Sequence, residues 1–262
     1  VTPADPPSPS LDPSKQQALV PSGQDAGLRF LAMLGHEIKA PLNAVTGLAE
    51  IMLLGKTEMP DRYRTYLGDI LAGGRHVLDV IDRVLTMVSL EMGQYPLQVT
   101  SIDLVELTRQ SLRVLEPEAQ ARGLTLALMA PDYLTGVVDA TAMRQVLTNI
   151  LSNAVKYSST GSQVQVQLSS TDEKIEWRIE DQGSGIAEED LVRILVPFER
   201  AVGPDRPLLE GLGLGLPIAH ALVQQQGGRL TLTSSLGQGT QVVIELPKDV
   251  SKSAESGEES RP

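Results

Sequence analysis

A histidine followed at once by a glutamate, His36 and Glu37 in GHEIKAPLN, pairs a nucleophilic imidazole with a carboxylate able to take its second proton. A solvated surface pair is the plainer alternative. Pro41 weighs against it, because a proline inside a helix costs about 3 kcal/mol and points to a kink with a purpose. Further on, MRQVLTNILSNAVKYS sets Asn149, Asn153, Lys156 and Tyr157 on one helical face, with Val146, Leu147, Ile150, Leu151 and Ala154 on the other. Amide oxygens suit a magnesium ion that keeps water and phosphate ligands, and a lysine beside them meets phosphate charge. In DQGSGIA, Asp181 stands at a strand end, and Gly183 and Gly185 allow a ligand to approach the backbone closely, unless this is a simple turn. GLGLGL, with Gly211, Gly213 and Gly215, opens a helix and so offers an amide-lined anion site. No Gly-Lys-Ser/Thr follows and no strand precedes it, which excludes the Walker loop and the dinucleotide fingerprint. The loop ahead of it, AVGPDRPLLE, follows Arg200 and reads as a lid.

These groups need elements to position them. Apolar residues recur at Leu28, Leu31, Gly35, Ile38, Leu42, Val45, Ala49 and Met52, the three-four alternation of a long helix with a bundle seam. Gly55 and Pro60 bracket a break. A second seam follows at Leu67, Leu71, Gly74, Leu78, Ile81, Leu85 and Val88, and Gly93 and Pro96 close it. One such hairpin cannot bury both seams, so a symmetric homodimer forming a four-helix bundle is expected. Beyond Pro96, helical patterns near 103–121, 139–157 and 214–227 alternate with strand-like runs at 124–129, 164–168, 175–179, 230–233 and 241–246. That pattern predicts an α/β sandwich, one sheet with helices on one side.

The boundaries expected are a Pro/Ser-rich linker over 1–26, the hairpin over 27–95, the α/β domain over 96–248 and a Ser/Glu-rich tail over 249–262. The 262 residues are 41% hydrophobic and 21% charged, a globular composition with few aromatics. A net charge of −11 argues against non-specific adhesion to nucleic acid or anionic lipid. Cysteine is absent, which excludes disulfides, thiolate zinc sites and a cysteine nucleophile. No apolar run reaches the ~20 residues of a membrane helix, and no signal peptide is visible. The first residue is Val1 rather than Met, as expected of the cytoplasmic part of a longer sensor.

Taken in order, the His-Glu helix, the Asn-x-x-x-Asn helix, the Asp-x-Gly-x-Gly turn, PFER and the glycine loop resemble the two-component sensor histidine kinases over about residues 27–247. RYRTYLGDILAGGRHVLDVIDRVL and GLGLGLPIA look most like the alphaproteobacterial cell-cycle kinases of the PleC and DivJ kind. The resemblance implies a dimerisation and phosphoacceptor hairpin followed by an ATP-binding domain of the Bergerat (GHKL) type. By position, His36 matches the phosphoacceptor and Glu37 the acid that positions or deprotonates it. Asn153 matches the Mg²⁺ ligand and Asn149 its partner, while Lys156 and Tyr157 line the nucleotide. Asp181 matches the carboxylate that receives the adenine amino group, with Gly183 and Gly185 beneath the base. Phe198 matches the aromatic anchoring the lid, Arg200 a phosphate contact, and Gly211, Gly213 and Gly215 the phosphate loop. Gly237, Gly239 and Thr240 of GQGT match the turn and strand under the adenine. The implied cofactors are ATP and Mg²⁺, and the implied partner is a response regulator receiver domain acting in trans.

Two positions depart from that pattern. Ala40 stands one turn after His36, where bifunctional relatives carry Thr or Asn, so weak phosphatase activity is expected. Leu212 replaces a Thr common in the glycine loop. A GHKL ATPase would need a glutamate at position 149 to activate water, and an anti-sigma type Ser/Thr kinase would not need the His-Glu hairpin. A non-catalytic scaffold that binds nucleotide and regulator is the remaining alternative. His76 and His220 carry no assigned role.

Overall fold

The structure is a computed structural model in which residues 23–55, 59–199 and 212–248 are described, the side chains of 23–34, 36 and 37 excepted. Residues 1–22 of the expected linker and the expected tail lie outside the described residues, as do Arg200 and Gly211, whereas residues 23–26, expected in the linker, are helical. The chain forms two compact units, Val1–Ile81 and Asp82–Pro262.

The first unit contains α1 (Gly23–Leu54), which runs through Pro41, and the greater part of α2 (Asp61–Glu91). Between them, Gly35, Thr46, Ala49 and Gly74 are buried. Thr46 donates its hydroxyl to the Leu42 carbonyl oxygen at 3.0 Å. A Cβ added at Gly74 would run into Thr46 Cγ2, so the two helices pass too close here for any side chain at 74. An Arg75–Glu50 ion pair ties the same stretch together. The buried line covers only part of the apolar seam. Ile38, Val45, Leu48, Ile51 and Met52 on α1 are each 45% or more exposed, because two helices hide a single stripe of each other.

The second unit takes in the end of α2, where Met87 and Leu90 join the same core as Trp177 and Leu147. The division into compact units falls inside a helix, between Ile81 and Asp82. The order continues with β1 (Val99–Asp103), α3 (Leu104–Ala121), β2 (Thr125–Met129), β3 (Thr135–Asp139) and α4 (Ala140–Tyr157). Then come β4 (Gln163–Ser170), β5 (Lys174–Asp181), two 3₁₀ turns, α5 (Gly215–Gln225), β6 (Arg229–Ser234) and β7 (Thr240–Pro247). The main sheet has the order β2-β4-β5-β7-β6, with β2 parallel to β4 and the other pairs antiparallel. β1 and β3 make a separate antiparallel pair that the sequence pattern did not reveal.

Strict alternation explains how the sheet is covered. Val164, Val166 and Leu168 on β4, Ile175, Trp177 and Ile179 on β5, and Val242, Ile244 and Leu246 on β7 point to the helices and are buried. Glu176, Arg178, Glu180 and Glu245 face outward, with Lys174 joining Glu176 at 3.1 Å and also pairing with Glu245. The apolar face of α4 meets the sheet as its periodicity predicts: Val146, Leu147, Ile150, Leu151 and Ala154 are all at most 3% exposed. Trp177 satisfies its indole N–H on Thr108 Oγ1 at 3.0 Å, and Thr108 passes its own proton to the Leu104 carbonyl oxygen at 2.7 Å.

Candidate functional site

β5 ends at Asp181, and two backbone amides converge on its carboxylate. Oδ1 accepts from the Gly183 amide at 2.9 Å and from the Thr240 amide at 3.2 Å, leaving Oδ2 without a partner among the described residues. Burial raises the Asp181 pKa above the ordinary aspartate value of 3.8, and the two amides pull it back down. The carboxylate is thus oriented and partly desolvated, with one oxygen free to receive a hydrogen-bond donor.

The glycines around it have a different neighbour from the one the sequence suggested. Gly185 (φ +66°) lies so close to Ser235 that a Cβ would strike its carbonyl oxygen, and at Gly239 (φ +79°) a Cβ would strike the carbonyl oxygen of Asp181 itself. What they admit is the protein's own backbone, which folds tightly enough to hold Asp181 in place. At Gly183 a Cβ would meet the Tyr157 carbonyl oxygen, where a single bridge between Ser158 and Gly183 joins the end of α4 to this turn. Gly237 (φ +73°) donates its N–H to the Ser184 carbonyl oxygen at 2.8 Å.

The polar face of α4 leads away from this point. Asn149 donates Nδ2 to the Gly215 carbonyl oxygen at 2.9 Å, which ties α4 to the first turn of α5 and the end of the glycine loop. Asn153, half-buried, has no hydrogen-bond partner among the described residues. Lys156 lies 5.4 Å from the centre of the Tyr157 ring, a cation–π approach. Gly213 accepts the Phe198 N–H at 3.2 Å. Phe198 itself is 61% exposed and has φ +68°, a left-handed backbone that a phenylalanine adopts only under constraint.

In the first unit, His36 and Glu37 lie within the unbroken backbone of α1, and their side chains fall outside the described residues. Ala40, one turn on, is exposed. Among the described residues no group of three His, Cys, Asp or Glu side chains is placed to hold a metal, and no helix is long and apolar enough to cross a membrane. Two surface clefts of the second unit, of about 240 Å³ beside Arg109 and Leu126 and about 360 Å³ beside Leu90 and Gln225, share no residue with the Asp181 cluster.

Two contributors escape sequence reasoning. Ser234 Oγ accepts from the Ile186 amide at 2.9 Å, donates to the Gly239 carbonyl oxygen at 2.7 Å, and lies 3.0 Å from Thr240 Oγ1. With its one proton given to Gly239, Ser234 must accept from Thr240. Ser158 closes α4 against Gly183, and its hydroxyl is buried without a partner among the described residues. Neither serine is marked out by its type or spacing, and only the folded sheet brings them to the Asp181 turn.

Two family models match the chain. The model described as His Kinase A (phospho-acceptor) domain covers residues 28–93, and that of the Histidine kinase-, DNA gyrase B-, and HSP90-like ATPase covers 138–250. Histidine protein kinase DivJ of Caulobacter vibrioides is 36% identical over 223 residues, spanning 84% of this chain and 37% of the relative. The Non-motile and phage-resistance protein of the same organism is 34% identical over 235 residues, 86% of this chain and 28% of the relative. The chain therefore spans only 28–37% of these relatives' length. Among solved structures, full-length ShkA in complex with AMPPNP superposes with a TM-score of 0.72 at 30% identity, over 84% of this chain and 45% of that one. The Acinetobacter baumannii histidine kinase AdeS shares the fold at 22% identity, with a TM-score of 0.58 over 82% of this chain and 98% of that one.

Proposed function

Because the chain belongs to the two-component sensor histidine kinases, we propose that it binds Mg²⁺-ATP in the second unit and transfers the γ-phosphoryl group to His36. The observation that carries this reading is Asp181, whose carboxylate is held by two amides through one oxygen and left open at the other. That is the arrangement needed to receive the exocyclic amino group of adenine and to refuse the carbonyl that guanine presents there.

Each residue then has a share in the chemistry. Gly183, Gly185 and Gly239 hold the Asp181 turn, while Tyr157 and Lys156 flank the nucleotide and Gly213 and Gly215 turn backbone amides toward its phosphates. Arg200 and Gly211, outside the described residues, are assigned to the same phosphates by position. Mg²⁺, when bound with the nucleotide, supplies positive charge that neutralises the phosphate oxygens. Asn153 is the residue that would hold it. Its lack of a protein partner, and the absence of a carboxylate cluster among the described residues, suit an ion that arrives with phosphate and water ligands. A His36 ring nitrogen forms the P–N bond as the bond from the γ-phosphorus to its bridging oxygen breaks. ADP leaves with that electron pair, and Glu37 takes the proton from the other ring nitrogen. Transfer is favoured over hydrolysis because position 149 is an asparagine whose amide is committed to Gly215, so α4 offers no general base for water there.

The exposed row Ile38, Val45, Leu48, Ile51 and Met52 fits a homodimer through the hairpin, and an aspartate of a separate response regulator is the expected recipient of the phosphoryl group. The test is incubation with Mg²⁺ and γ-labelled ATP, scoring acid-labile, base-stable label. Label on the wild type and none on His36→Gln is expected. Equal label on both, or label resistant to acid, would overturn the reading.

A further inference from the structure

Asp139 ends β3 and is only 4% exposed, yet no cation is paired with it among the described residues. Backbone amides surround it instead. Oδ1 accepts from Thr141 and Ala142 at 2.9 Å each, capping α4, and Oδ2 accepts from the Gln98 amide at 2.7 Å. A helix cap requires only the first oxygen, so the bond to Gln98 is an additional one. Asp139 also donates its own N–H to Gln226 Oε1 at 2.9 Å, and Gln226, 5% exposed, sends its Nε2 to the Leu222 carbonyl oxygen at 3.2 Å. Three segments therefore meet on one residue: the stretch that leaves α2, the start of α4 and the end of α5.

The opposite end of the same helix pair is fastened too, since Asn149 holds Gly215 at the start of α5. Antiparallel helices pinned at both ends move as one frame. Asn149 and Asn153 sit about 15 and 21 Å along that frame from Asp139, at 1.5 Å per residue. The chain leaving α2 is bonded to it first at Gln98 and then along the β1–β3 ladder, which begins with Val99 opposite Asp139.

We infer that Asp139 is a positioning residue: it joins the segment after α2 to the α4–α5 frame, so that displacement at the end of α2 reaches the phosphate end of the catalytic unit. This rests on the kinase reading above, in which Asp139 is given no contact with nucleotide or phosphoacceptor.

Two variants separate coupling from folding. Asp139→Asn keeps the size of the side chain, but whichever way its amide turns, an NH₂ group faces a backbone N–H. Gln98→Pro removes the donor to Oδ2 and leaves both cap donors in place, while its ring also fixes φ at 98 and holds Leu97 extended. Expected for both is an autophosphorylation rate lower by about tenfold or more, with the affinity for a fluorescent ATP analogue within about twofold of wild type. Amide hydrogen exchange is read in parallel and is expected to rise at 139–142 and 222–226 in Gln98→Pro. Wild-type labelling rates in Gln98→Pro, or a loss no larger than its loss of nucleotide affinity, would overturn the inference. Should the wild type itself remain unlabelled, the kinase reading fails, and exchange decides this one: unchanged protection at 222–226 in Gln98→Pro overturns it, and increased protection does so equally.

Discussion

Asn149 and Gly215, 66 residues apart in sequence, are joined by a 2.9 Å hydrogen bond from side-chain amide to backbone carbonyl. The helix that carries the expected metal ligand is thereby fixed to the first turn of the helix that opens behind the glycine loop. Spacing alone pointed Asn149 toward a ligand; in the folded chain one of its N–H donors is given to Gly215.

Replacing that donor should loosen the phosphate end of the site. Asn149→Asp sets a carboxylate oxygen against the Gly215 carbonyl, where loss of a hydrogen bond plus an unpaired acceptor costs about 1–3 kcal/mol. ATP affinity measured by titration is expected to fall on the order of tenfold, and an unchanged dissociation constant would show that the clamp does not shape the site.

For Asp181, stability and binding should respond to pH in opposite directions. Burial raises its folded pKa above the ordinary 3.8, so between those values the folded state holds the proton more tightly than the unfolded one. Its contribution to stability is therefore greatest at low pH and declines as pH rises through the folded pKa. Binding of an adenine amino group needs the ionised form and should weaken as pH falls through that same region. Asp181→Asn is expected to leave the melting midpoint at pH 7 unchanged or higher, while ATP affinity falls by about ten- to a hundredfold, the worth of a charge-assisted hydrogen bond. A variant that loses stability without losing affinity would contradict this assignment.

Adjacent glycines in α2 should give opposite results. Gly73 has open space where a Cβ would go, so Gly73→Ala should raise the midpoint of the hairpin by the helical preference of alanine, about 1 kcal/mol. At Gly74 the same methyl meets Thr46 Cγ2, and Thr46 cannot rotate away without losing its bond to Leu42. Overpacking of about 1–3 kcal/mol should outweigh the gain, and Gly74→Ala should melt earlier by circular dichroism. Equal shifts in the two variants would mean that the helices do not cross there.

Ala40 offers no hydroxyl or amide one turn after His36. Dephosphorylation of the cognate regulator by the unphosphorylated protein should accordingly be slow, and Ala40→Thr should speed it without raising autophosphorylation. Rapid dephosphorylation by the wild type would remove this assignment.

Much of the architecture was legible in the chain because periodicity records which face is buried. The alternations at 164–168, 175–179 and 241–246 and the helical run through Val146 and Leu151 appear in the folded protein with the expected faces inward. β1 and β3 were missed, since each has five residues and is set by pairing with the other rather than by a pattern of its own. The division of the continuous α2 at Ile81 reflects which neighbours Met87 and Leu90 pack against, a matter of tertiary contact that no local pattern carries.

By itself the sequence determined the chemical inventory: a histidine beside a glutamate, an asparagine-lined helix face, an aspartate at a strand end, and glycines around each turn. Those are properties of residue type and short spacing, written locally in the chain. Only the tertiary structure decided which polar atoms are spent and which remain free. It gave Asn149 to Gly215, one oxygen of Asp181 to Gly183 and Thr240 and left the other open, and collected Gln98, Thr141, Ala142 and Gln226 on Asp139. The reason is physical. A hydrogen bond is made between groups that burial brings within 3 Å, often from distant segments, and each buried donor or acceptor must find its partner among whatever the packed core places beside it.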